Sequence, residues 1–160
     1  MKRGVFGPMP YHREEVGVRI YWLSRLTGFF AYPSQPTAIG TVIMAALDGL
    51  DQLPGAPKLK TWEENDIAGR FIIEPILSEL AIVDLLVADI TRLNFNVVFE
   101  IGYAIGRKKR VHLTRYRALT SSDDLIREVG VFDTIGHRPY ANSGELKDAL
   151  RQLKAATHCV

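Results

Sequence analysis

Cysteine is nearly missing from this chain: of 160 residues only Cys159 is one, and it stands beside the C-terminus. A single thiol excludes an internal disulfide and a cysteine metal cluster, which suits a reducing compartment. Long apolar runs are missing as well. No stretch reaches the roughly 18 uninterrupted apolar residues of a membrane helix. Met1 to Glu15 lacks a secretory apolar segment ahead of His12, Arg13, Glu14 and Glu15. A cytoplasmic location and no membrane partner are therefore expected. There is no glycine-rich phosphate loop: Gly102 and Gly106 fall in a helical pattern with no Lys-Ser/Thr after them, which argues against an NTPase or kinase. His12, His137 and His158 have no metal-ligand spacing with one another or with Cys159, so no metal site is expected. His112, inside an apolar strand pattern, reads as a core or surface histidine before a catalyst.

Charge of either sign is in small excess only, a net +2 at pH 7, too little to argue for a nucleic-acid partner. The basic residues that do cluster, Arg107 to Arg110 with Arg115 and Arg117, read first as a helix C-terminus whose cations meet the negative end of the dipole.

What is present is an ordinary globular composition, 47% apolar and 24% charged, in a length suited to one domain. Residues 1–26, broken by Gly4, Gly7, Pro8 and Pro10, read as an N-terminal arm, within which 16–26 fits a short helix or a strand. Residues 27–155 read as a single domain. Gly28 to Tyr32 is a buried-strand pattern stopped by Pro33. A helix follows Ser34, Pro36 and Thr37, with Ile39, Val42, Ile43, Ala46, Leu47 and Leu50 on one face. Lys58 to Trp62 is a second strand, 63–69 a polar loop, and 69–82 a second helix with Pro75 near its first turn or at a kink.

Within Asp84 to Ile90 the run Leu85 to Ala88 is continuously apolar and is closed by Asp89, as expected of a parallel strand covered on both faces. A third helix is expected from about Asn96 to Lys109, and a fourth strand over 110–115. A short helix over 121–128 precedes a strand at either 131–135 or 137–140. The last helix opens on Asn142 with Glu145 three residues on, a capping box, and carries Leu146, Leu150 and Leu153. This alternation predicts an α/β, three-layer, flavodoxin-like fold: a parallel sheet of about five strands with helices on both faces. Ligands bind such sheets at the carboxyl ends of the strands, which points to 32–35, 62–66 and 89–100.

In the last of these, Asn96 as N-cap would set Glu100 one turn inside the helix beside Tyr103, with Val98, Ile101 and Ile105 facing the core. The helix dipole would keep Glu100 ionised. Asp89 at the strand end would orient a sugar hydroxyl, or repel Glu100 and tune its protonation. Gly102 and Gly106 cost helix propensity, which predicts close approach by another backbone or a ligand. Tyr32 and Ser34 are candidate ribose or phosphate contacts. Trp62 either stacks on a base or closes the core.

The stretch Asp89-Ile-Thr-Arg-Leu-Asn-Phe-Asn-Val-Val-Phe-Glu100-Ile-Gly-Tyr-Ala-Ile-Gly106 resembles the signature of the nucleoside 2-deoxyribosyltransferase-like and TIR-like superfamily. The resemblance is most specific over 84–113 and extends through the element order over 28–150, with 132–133 and Tyr140 similar to the family's closing segment. It implies that Glu100 meets the anomeric carbon of a ribosyl group as nucleophile or oxocarbenium stabiliser. It further implies that Asp89 and Asn96 hold the sugar, and that Tyr32, Ser34, Trp62, Asp66, Asn94 and Tyr103 belong to the substrate site. The chain departs from the transferase pattern, an aspartate–glycine–threonine stretch, at Leu93 to Asn96, which weighs against deoxyribosyl transfer. The expected activity is cleavage or transfer at the N-glycosidic bond of a nucleoside, a nucleotide or NAD, with NAD a substrate and no cofactor. Nicotinamide leaves without a proton, whereas a neutral base needs an acid, for which Asp89, Glu63, Glu64 or Asp66 would serve. The alternative is a non-catalytic nucleotide-binding or self-assembling signalling module, as in anti-phage defence. Either reading expects a nucleotide-type small molecule as ligand and a homo-oligomer.

Overall fold

A computed structural model describes residues 25–64, 73–92, 94–119 and 135–154. Residues 1–24 of the N-terminal arm, the helix expected over 121–128, Asp66 and the pair at 132–133 lie outside the described residues.

Five parallel strands, β1 (Thr27–Ala31), β2 (Lys58–Thr61), β3 (Leu85–Asp89), β4 (Arg110–Tyr116) and β5 (His137–Tyr140), lie in the order β2-β1-β3-β4-β5. The helices are α1 (Thr37–Asp51), α2 (Ile73–Ile82), α3 (Phe95–Gly106) and α4 (Ser143–Arg151). This is the three-layer arrangement the alternation predicts. Strand pleating sends successive residues to opposite faces, and the two cores follow it. Phe30, Leu85 and Val87 join the α1 and α4 side with Ile39, Ile43, Leu50, Leu146 and Leu150. Phe29, Leu86, Ala88 and Leu113 join the α2 and α3 side with Ile76, Leu80, Val97, Ile101 and Ala104. All five residues of β3 are buried, so its continuous apolar run has its expected cause.

Gly28 lets these strands close. A Cβ there would stand 2.6 Å from Leu59 Cδ2, 2.9 Å from Leu85 Cδ1 and 3.2 Å from the Leu85 carbonyl. Pro75 is the third residue of α2, where the missing N–H costs no helix bond. Asn142 caps α4 by accepting from the Glu145 N–H at 2.9 Å, while the Glu145 carboxylate accepts from Ala141 N–H. Of the two strands offered before the last helix, 137–140 is formed, and 131–134 lie outside the described residues.

Part of the basic cluster is structural. Lys109 Nζ donates to the Ala81 and Val83 carbonyls at the end of α2, at 2.9 and 2.7 Å, and Arg110 Nη1 donates to Lys154 O at 2.6 Å. Among the described residues no helix is long and apolar enough to cross a membrane.

From β1 the chain runs outward to β2 on one side and then returns to β3 on the other. The reversal leaves a crevice beyond the carboxyl ends of β1 and β3, the position where open α/β sheets bind ligands.

Candidate active site

Tyr32 is the first residue beyond β1 and is held on four sides. Its ring meets Phe30 edge-on at 6.2 Å and leans on Trp62 at 6.2 Å and 49°. Against α1 it lies over Gly40, where an added Cβ would come within 3.3 Å of Tyr32 Cε2. Its hydroxyl donates to Glu63 Oε1 at 2.8 Å. Trp62 and Glu63 stand in the single 3-10 turn (Trp62–Glu64) that ends β2, so the strand stops one residue earlier than expected. Trp62 is half-buried, packs against both cores and lines the crevice.

The other wall is α3. Its N-cap is Asn94, not Asn96: the Asn94 side chain accepts from the Asn96 N–H at 2.8 Å. Either asparagine suits a cap, but starting at Phe95 turns Val97, Glu100, Ile101 and Ala104 inward at helical spacing. This corrects the expected core face. Val98 is only half-buried, and Ile105 is exposed. Glu100 is the sixth helical residue, beyond the first turn where the dipole acts most strongly. Only 5% exposed, it has its carboxyl raised by burial to about 7, so it is not held ionised as the helix position suggested. Removing a carboxylate from water costs stability, and such a group in a crevice is a mark of chemistry.

Tyr32, Ser34, Trp62, Asn94, Asn96 and Glu100 come together around a cavity of about 250 Å³, completed by Ile76 and Val97. Ile76 and Val97 escaped the sequence reading because an apolar residue on a helix looks like core. The available signal was Val97 at three residues before Glu100, on the same face. A second cavity of about 330 Å³ shares Tyr32 and Ser34 with the first and is lined further by Thr37, Gly40, Thr41, Met44 and Glu63.

Asp89 and Tyr103 are not brought to the Glu100 cavity. Tyr103 is half-buried and stacks on Phe99 at 6.5 Å. Asp89 is 0% exposed and accepts from Tyr140 Oη at 2.8 Å, Thr91 N–H at 2.9 Å and, weakly, Thr114 Oγ1 at 3.4 Å. Burial raises its carboxyl, and these hydrogen bonds oppose the rise. Burial and the neighbouring Asp89 also raise the Tyr140 hydroxyl. With its oxygens engaged inside the fold, Asp89 ties β3 to β4 through Thr114 and to β5 through Tyr140. Gly102 and Gly106 meet nothing within 4 Å of an added Cβ, so close approach within the described chain does not explain them.

A larger cavity, about 580 Å³, lies where α4 crosses β4 and β5. His112 lines it, lowered by burial and by the charge of Arg110. It lacks a carboxylate among its described lining and shares no lining residue with the Glu100 cavity.

No family model matches the chain, and no curated protein matches it. Among solved structures it is similar to the CMP N-glycosidase BcmB of Clostridium botulinum, at 16% identity over 78% of this chain and 97% of that one, with a TM-score of 0.51. It is also similar to a conserved protein from Enterococcus faecalis V583, at 18% identity over 81% and 99% of the two chains, with a TM-score of 0.58. Both likenesses are likenesses of fold: the five-stranded parallel sheet between helical layers belongs to the same architecture as these two proteins.

Proposed function

We propose that this protein cleaves the N-glycosidic bond of a nucleoside or nucleotide, with Glu100 facing the anomeric carbon. The observation that carries the proposal is the placement of Glu100. It is the one carboxylate among the described residues of a small cavity at the sheet's reversal point, between two asparagines and two aromatic rings. The fold likeness to a CMP N-glycosidase and the resemblance of the Asp89–Gly106 segment to the deoxyribosyltransferase-like and TIR-like superfamily support the same reading.

The C1′–N bond breaks with its electron pair going to the base nitrogen, and positive charge grows on the sugar. Ionised Glu100 stabilises that charge or attacks C1′ to form an ester. Water then supplies hydroxide equivalent to C1′ and, in balance, the proton of a neutral base. An acceptor base in place of water would give transfer. Asn94, Asn96, Tyr32 and Trp62 line the cavity, and in this reading the two amides hydrogen-bond sugar hydroxyls while Trp62 covers the ligand.

Chromatography of reactions with nucleosides, nucleoside monophosphates and NAD tests this and identifies the substrate class. Glu100→Gln should reduce base release by a factor on the order of 10³ while keeping the fold. Base release from that variant at the wild-type rate would sink the mechanism.

A second reading, a nucleotide-binding module that works by self-assembly, is favoured by one feature. The outer face of α3 exposes Phe95 (89%) and Phe99 (49%) beside the crevice. It predicts ligand binding and oligomers without turnover.

A further inference from the structure

The two cavities on either side of Tyr32 differ in chemistry. The Glu100 cavity offers a carboxylate and two amides, groups suited to a sugar. The adjoining one is walled by the largely buried Tyr32 ring and offers the Met44 thioether, three hydroxyls from Ser34, Thr37 and Thr41, and the Glu63 carboxylate. Glu63 is the single charged group among its described lining residues, so the electrostatic character there is that of an acceptor. A flat heterocycle matches the ring and the thioether. Donor N–H groups match the carboxylate.

Glu63 is also fixed in place. Its Oε1 accepts from Tyr32 Oη at 2.8 Å, and Tyr32 is itself wedged among Phe30, Trp62 and the Cα of Gly40. A carboxylate held this way keeps free lone pairs on both oxygens. The Thr41 hydroxyl, which donates to Thr37 O at 3.1 Å, remains an acceptor as well.

We propose that the cavity of about 330 Å³ is the base subsite and that Glu63, positioned by Tyr32, selects bases presenting an exocyclic amine over those presenting a carbonyl at the same place. This rests on the glycosidase reading above. An amine donates to the carboxylate. A carbonyl oxygen turned toward it meets like charge and finds no donor there. Glu63 is thus a specificity residue. It carries no part of the bond cleavage assigned to Glu100.

The experiment compares substrate pairs differing at that one position, cytidine with uridine monophosphate and adenosine with inosine monophosphate, on the full chain. Wild type should favour the amine member of at least one pair by about tenfold or more in kcat/KM. Glu63→Gln, whose amide both donates and accepts, should bring that ratio to within about threefold of one. Tyr32→Phe, which keeps the ring but frees the carboxylate, should lower the ratio part of the way. Equal use of both members by wild type overturns the proposal, as does a wild-type ratio in Glu63→Gln. The same pairs are titrated calorimetrically against Glu100→Gln and the Glu63→Gln/Glu100→Gln double variant, so the preference is read without turnover. If wild type releases no base yet Glu100→Gln prefers the amines and the double variant does not, the cleavage reading fails and the subsite stands. If base is released but neither titration separates the pairs, the subsite fails alone.

Discussion

Glu100 sits among Val97, Ile101 and Ala104, side chains that belong to the core, and its carboxyl titrates near 7 instead of 4.5 because water has been removed from around it. The native state therefore binds this proton more tightly than the unfolded chain does. Its contribution to stability is intact below about pH 4.5 and is lost as pH rises through 7, an effect of about 3 kcal/mol at most. Replacing the group by its neutral isostere removes the dependence. Urea unfolding should show Glu100→Gln more stable than wild type at pH 8, with the gap shrinking toward pH 4.5; an equal gap at both ends would refute the assignment. The same titration sets the reaction. If the carboxylate is the working form, base release rises with pH through about 7, and a rate flat between pH 5.5 and 8 would speak against it.

At the scale of elements, β1 depends on a residue with no side chain. The Leu59 and Leu85 side chains and the Leu85 carbonyl occupy the space a Cβ at Gly28 would need, and a carbonyl in a central strand has nowhere to go. Gly28→Ala should cost about 1–3 kcal/mol, read as a lower urea midpoint with an unchanged slope. Gly106→Ala, where nothing lies within 4 Å, serves as the control and should not destabilise. The strand and helix order was legible because pleat and helix periods separate cleanly in this chain: Phe29 and Phe30 go to opposite cores, and Ile39, Ile43 and Leu50 to one. The start of α3 was not, because Asn94 and Asn96 both carry cap chemistry and only tertiary packing of Val97 chooses between them. Of the site, Tyr32, Ser34, Trp62, Asn94, Asn96 and Glu100 followed from strand ends and motif. The Tyr32–Glu63 hydrogen bond joins residues 31 apart and has no local trace in sequence. The bond to Asp89 was hidden for a related reason: its partner Tyr140 is 51 residues on, so nothing near Asp89 in sequence marks its carboxyl as engaged.

At the scale of the whole molecule, the large apolar side chains exposed among the described residues all lie on the α2 and α3 layer: Ile73, Ile82, Phe95, Phe99 and Ile105. Phe95 and Phe99, one helical turn apart, make the outer face of α3 apolar. If this face joins copies of the chain, as the assembly reading expects, light scattering over a range of concentrations should show self-association that Phe95→Ser with Phe99→Ser abolishes. A wild-type monomer at every concentration would leave that reading without support.

The tie from Tyr140 to Asp89 bears on how this architecture opens. A four-residue strand at the edge of a sheet is ordinarily the first part to fray, exchanging its amide protons long before the centre. Here the last residue of β5 reaches over β4 to a carboxylate at the end of the central strand, and its ring stacks on Tyr116 at 5.3 Å on the way. Releasing the edge therefore strands a carboxylate inside the core. The outermost strand is thereby tied to the central one, and hydrogen exchange is expected to show the amides of the two opening together.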